Sequence, residues 1–343
     1  MESTQSFIKI SSPSLMKQGY NQRRFRMISV TTLLAILTIC LCTMMLVYGN
    51  TNYSLDVVFK VLSGEKIQGA TFAIATLRLP RMLSALLVGI AFGIAGNTFQ
   101  TMLRNPLASP DIIGVTSGSS VAAVFCILVL GMSGTTVSII SVVSGLLVSL
   151  VIYLLSNDVT FSGSRLILIG IGIQAMLQAV ISFLILKATQ YDVAGALRWL
   201  SGSLNGMTMK NIPSLFIVVA IFGTIILFLT KNIQVLELGD EFATTLGVRI
   251  NLARLVLILS AVFLIAFATS ATGPIAFVAF LAGPIASKMV GQGSPNVLAS
   301  GLVGALLVLS SDMIGQYVFS TRFPVGVITG ILGAPYMLFL LIC

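Results

Sequence analysis

RLPRMLSALLVGIAFGIAGNTFQTMLRNPLASPDIIGVTSG, residues 78–118, decides how the rest of the chain is read. Arg78-Leu79-Pro80-Arg81 opens into about twenty mostly apolar residues. The run closes at Arg104-Asn105-Pro106-Leu107-Ala108-Ser109-Pro110, and a second apolar stretch follows. A helix rises 1.5 Å per residue, so ~20 apolar residues cross the ~30 Å hydrocarbon layer of a bilayer. The block predicts one full crossing, a stiff two-proline turn and the start of the next crossing. Arg78 and Arg81 mark one membrane face and Arg104 the other.

Composition agrees over the whole length. Of 343 residues, 57% are hydrophobic and only 8% are charged, against about 25% charged in a soluble domain. No soluble fold hides that much apolar surface, so the chain is an integral membrane protein, all-α. The net charge of +9 is not a nucleic-acid signature, because Lys and Arg sit between apolar blocks with no continuous basic stripe. Cys40, Cys42, Cys126 and Cys343 lie in or at the end of apolar runs and read as small hydrophobes. Histidine is absent, which removes the commonest metal ligand and general base.

Apolar runs fall near 27–48, 82–103, 112–131, 136–155, 166–187, 213–230, 252–271, 274–291, 296–317 and 324–342, predicting about ten transmembrane helices in a single domain, 27–343. The first run, preceded by Arg23, Arg24 and Arg26, is longer than the 7–15 residues of a secretory core and has no A-x-A site after it. It is read as an uncleaved span behind a disordered cytoplasmic tail, residues 1–26. Ten spans place both termini in the cytoplasm, with 11 Lys/Arg inside and 8 outside. Two connections are long enough to carry structure. Residues 49–77 include an amphipathic piece around Leu55 to Leu62. Residues 231–251 hold Leu238, Phe242 and Leu246 at helical spacing beside Glu237, Asp240 and Glu241, punctuated by Gly239 and Gly247.

No catalytic constellation is visible: no GxxxxGK[ST] loop, no acid pair, no Ser/His or Cys/His set. The chain is read as no enzyme and as binding no cofactor itself. Gln174 and Gln178 lie four apart and share one helix face. An amide in hydrocarbon needs a partner or water, so that face points either to a neighbouring helix or to a pore. Gly326, Gly330 and Gly333 form a small-residue stripe, as do Gly89, Gly93 and Gly96 beside Asn97 and Gln100. Asp312 is the one acid placed within a span, and Arg322 is read as its possible counter-ion.

These motifs together resemble the permease subunits of ATP-driven importers for iron–siderophore complexes, haem and cobalamin. Besides 78–118, the resemblance rests on Arg198-Trp199-Leu200-Ser201-Gly202-Ser203-Leu204, Leu238-Gly239-Asp240-Glu241 with Leu246-Gly247, Thr272-Gly273-Pro274-Ile275-Ala276-Phe277-Val278, Phe323-Pro324-Val325-Gly326-Val327 and Gly333-Ala334-Pro335. It covers almost the whole chain. The chain departs from the family where Ile285 and Lys288 replace a His or Gln and an Arg, and where Arg322 and Phe323 replace an acid.

The resemblance implies a type II ABC importer permease fold in a bacterial cytoplasmic membrane, working with two ATP-binding cassette subunits that use the ATP. It also implies a second permease copy, identical or a paralogue, and an extracytoplasmic siderophore-binding lipoprotein. A pathway between the copies would be lined by the fifth and tenth spans, which here carry Gln174, Gln178, Gly326 and Gly330. The turn with Asn105 and Leu107 would serve the inner gate, with Ser162 and Ser164 as further gate candidates. Arg78, Arg81 and Arg322 would meet acids of the binding protein; contact with lipid phosphates is the other reading. Leu238, Gly239, Asp240, Glu241, Phe242, Leu246 and Gly247 would contact the ATPase. An ion-coupled carrier would be expected to show inverted repeats and ionisable residues near mid-membrane, for which Asp312, toward a span end, is the one candidate. A lipid-modifying membrane enzyme would be expected to show clustered acids or histidines, which the sequence does not show.

Overall fold

A computed structural model describes residues 13–156, 163–291 and 296–342. The chain runs α1 (Pro13–Val47), α2 (Leu55–Leu62), a π-helical stretch (Phe72–Arg78) that leads directly into α3 (Leu79–Met102), a 3-10 turn (Pro110–Ile113), α4 (Val115–Leu128), α5 (Thr135–Ser156), α6 (Gly163–Lys187) and α7 (Gln190–Leu200). It continues with α8 (Ile212–Phe228), α9 (Thr230–Glu237), α10 (Asp240–Thr245), α11 (Ile250–Thr272), α12 (Val278–Val290), α13 (Val297–Tyr317) and α14 (Val325–Ile342). Among the described residues six helices are long and apolar enough to cross a bilayer alone, α8 joins α9 through a 52° bend, and α4, α12 and α14 are shorter apolar helices. These ten coincide with the ten runs read from the sequence.

One helix organises the rest. In α3, 83% of the best apolar window is buried, against 17% in α6 and 22% in α1. α3 is packed on by α13, α12, α11 and α8, so it is the axis, and α6 and α1 present their apolar sides outward. The axis is closely approachable where its glycines meet neighbouring backbones. A Cβ on Gly93 would overlap the Ser300 carbonyl of α13, and one on Gly96 the Ala279 carbonyl of α12. Such small-residue seams let helix backbones close up where lipid supplies no hydrophobic drive. Gln100 completes the seam, its Nε2 donating to the Phe280 carbonyl at 2.9 Å.

Three of the motifs converge at one point. Ser203 N donates to the Thr272 carbonyl at 2.6 Å and Gly326 N to the Gly202 carbonyl at 3.1 Å. The end of α7, the break between α11 and α12, and the start of α14 are thereby tied together.

The N-terminal tail needs correction. Residues 13–26 are helical and continue α1, and residues 1–12 lie outside the described residues. Arg26 gives the reason for order at its end of this extension: Nε donates to the Met289 carbonyl at 3.0 Å and Nη2 to the Lys288 carbonyl at 3.2 Å. A cation at the C-terminal end of α12 satisfies free carbonyls and complements the helix dipole.

Candidate functional site

The two ends of α3 carry separate polar assemblies, about 36 Å apart for its 24 residues. At the first end, Arg78 donates to the carbonyls of Leu46 (2.8 Å), Val47 (3.0 Å) and Thr51 (2.6 Å) and lies 5.1 Å from the Tyr53 ring centre. It caps the C-terminus of α1. Arg81 makes a two-pronged pair with Asp312, Nε to Oδ2 and Nη2 to Oδ1, both 2.7 Å, while Nη1 donates to Asn205 Oδ1 at 2.6 Å. Asp312 is 1% exposed and also accepts from Gln316 Nε2 at 2.8 Å.

The counter-ion of Asp312 is therefore Arg81, and the expectation that Arg322 neutralises it is overturned. Arg322 is exposed and donates to Asn50 Oδ1 at 3.2 Å. All three arginines border one cleft of about 310 Å³, with Asn50, Thr51, Gln316 and Tyr317. They differ in what they have left to offer. Among the described residues no carboxylate lies within ion-pair distance of Arg78 or Arg322, whereas Arg81 is saturated by its partners within the fold.

At the other end, the turn after α3 is fixed by local hydrogen bonds as well as by its prolines. Asn105 Oδ1 accepts from Leu107 N at 2.9 Å, and Ser109 Oγ donates to Asp111 Oδ2 at 3.0 Å. Arg104 adopts the left-handed region at φ 50°. Asn105 and Leu107 are half-buried, and Ser164 is exposed at the start of α6. Ser162 lies outside the described residues.

Beside this turn, residues 231–251 form α9, α10 and the start of α11. Ile233, Leu236 and Ala243 are buried, while Leu238, Phe242 and Leu246 are 64%, 65% and 63% exposed. The two glycines provide the bends, Gly239 at φ 120° before α10 and Gly247 at φ 80° after it. Glu241 is exposed on the same short helix. Asp240 is about half exposed and pairs with Arg104 Nη2 at 2.6 Å and with Arg254 Nη2 at 2.7 Å. Leu238, Phe242 and Leu246 thus form an exposed apolar patch beside the exposed Glu241.

The side of the bundle completes the picture. Gln174 is half-buried and Gln178 exposed on α6. On α14 a Cβ at Gly330 meets open space, but one at Gly326 would overlap the Ser201 carbonyl. Gly326 is thus a packing residue of the three-motif junction rather than a residue lining an open face. Sequence reading missed α7, the short helix after α6, and missed Asn205 and Gln316 around Asp312.

The FecCD transport family model matches residues 7–343. The chain belongs to the FecCD transport family. It is 38% identical over 296 residues to the ferric enterobactin transport system permease protein FepG of Escherichia coli K12, covering 86% of this chain and 89% of that protein. It is 33% identical over 333 residues to the achromobactin transport system permease protein CbrC of Dickeya dadantii 3937, covering 94% and 95%. Among solved structures, it superimposes with a TM-score of 0.81 at 26% identity on a protein described as a metal-chelate type ABC transporter in an inward-facing conformation, covering 90% of this chain and 97% of that one. The FecCD chain thus has the all-helical importer permease fold, and its family is one of transport subunits rather than enzymes.

Proposed function

We propose that this FecCD chain is the membrane-spanning permease of an ATP-driven importer that carries iron(III)–siderophore complexes inward across the cytoplasmic membrane. The observation that carries the proposal is the match along nearly the full chain to permeases named for ferric enterobactin and achromobactin. The outward Leu238, Phe242 and Leu246 support a companion ATPase seated on α9 and α10. A second permease copy would cover the exposed side of α6, with Gln174 and Gln178 bordering the passage. Arg322 and the uncompensated charge of Arg78 would receive acids of an extracytoplasmic binding protein. Such exposed pairs are individually worth ~0.2–1 kcal/mol and act mainly by steering and orienting the partner.

Iron-starved cells lacking this chain should lose uptake of radioiron supplied as the cognate siderophore complex and regain it on complementation. The double variant Gln174→Leu/Gln178→Leu, accumulating to the wild-type level, should restore less than a fifth of that uptake. Full restoration would remove both glutamines from the passage, and unimpaired iron uptake in the deleted cells would reject the substrate class.

A further inference from the structure

The outer face of α10 is free for a partner, but its inner fastening is unusual. The helix buries only Ala243. Its polar attachment to the body is the Asp240 carboxylate, which holds Arg104 at 2.6 Å and Arg254 at 2.7 Å through the same oxygen, Oδ1. Arg104 stands in the turn just after α3 and also donates from Nε to the Leu236 carbonyl of α9 at 3.1 Å. Arg254 stands in the first turns of α11 with only 9% of its side chain exposed. Windows of α3 and α11 are 83% and 67% buried, the two highest values among the spanning helices. One carboxylate therefore ties a thinly anchored surface helix to the two most deeply set helices.

The setting suits a joint that moves. Asp240 and Arg104 are 47% and 44% exposed, and a solvent-facing ion pair contributes little to stability. The pair can shift without unfolding the protein, while its charge-assisted bonds keep direction and short length. Next to it lies a cleft of about 650 Å³ bordered by Met102, Leu103, Arg104, Gly163, Phe242 and Arg254. Displacement of α10 into that cleft would press on the end of α3, its turn and the start of α6.

We propose that Asp240 is the positioning residue that transmits displacement of α10 to α3 and α11 through its two arginines, coupling ATP hydrolysis to opening of the passage. This rests on the reading that α9 and α10 seat an ATPase subunit. The test uses the complete importer, with ATPase and binding protein, in proteoliposomes loaded with the ferric siderophore that the wild-type transports. Asp240→Asn keeps the shape and removes the charge. Its complex should move at least tenfold fewer chelates per ATP hydrolysed than wild-type. Asp240→Glu should recover part of that ratio. Arg104→Gln should lower the ratio in the same way, and it serves where Asp240→Asn fails to accumulate.

Hydrolysis and transport falling in parallel, with the ratio unchanged, would overturn the proposal. So would loss of the ATPase from the Asp240→Asn complex, which would make Asp240 a docking residue, and so would failure of both variants to accumulate, which would make the cluster a structural brace. A separate outcome strikes the underlying reading alone: a Leu238→Ser/Phe242→Ser/Leu246→Ser chain that still retains the ATPase shows that the subunit sits elsewhere.

Discussion

Arg81→Glu should nearly abolish accumulation of folded protein in the membrane. The substitution places a second carboxylate against Asp312, which is 1% exposed and accepts from Arg81 through both of its oxygens. Breaking a buried pair typically costs about 3–5 kcal/mol, a large part of the 5–15 kcal/mol that separates folded from unfolded domains. Detergent-extracted Arg81→Glu protein should show a strongly lowered unfolding temperature, and the exchange Arg81→Asp/Asp312→Arg should recover part of it. Arg322→Glu is the control. Its side chain is exposed and donates to Asn50 Oδ1, so it should accumulate normally and lower uptake only through the binding protein. A stable Arg81→Glu protein with a selective docking defect would show that the Asp312 pair is dispensable.

Leu238→Ser/Phe242→Ser/Leu246→Ser should leave the helices intact and strip the ATPase from the complex. Each of these side chains is more than three-fifths exposed, so removing them takes nothing from the core. Covering one by a partner contributes ~1.5–3 kcal/mol, and loss of two such contacts weakens binding on the order of a hundredfold or more. Co-purification should therefore fail while circular dichroism and unfolding temperature stay within error of wild-type. An unchanged ATPase yield would mean that these residues face lipid or solvent in the assembled importer.

The ten apolar helices were legible because a bilayer imposes its thickness on every span, and long apolar runs report that thickness directly. The outward face of α9–α10 was legible too, since Leu238, Phe242 and Leu246 recur at helical spacing while acids fill the gaps. What the sequence hides is pairing across distance. Arg81 and Asp312 are 231 residues apart, and the nearer Arg322 was the natural but mistaken partner for Asp312. Gly326 shared a stripe with Gly330, yet only contact with the Ser201 carbonyl separates a packing glycine from one facing open space. α7 escaped notice because its 11 residues mix apolar side chains with Gln190, Asp192 and Arg198. The helical Pro13–Arg26 stretch escaped because its Arg26 anchor lies on the loop side of α12, more than 260 residues away.

The most direct measurement is uptake of radioiron chelate into proteoliposomes containing this chain, its ATPase and its binding protein. The permease of an ATP-driven importer should accumulate chelate only when ATP and the ATPase are both present, and imposed proton or sodium gradients should change nothing. Accumulation driven by an ion gradient in liposomes lacking the ATPase would contradict an ATP-driven importer.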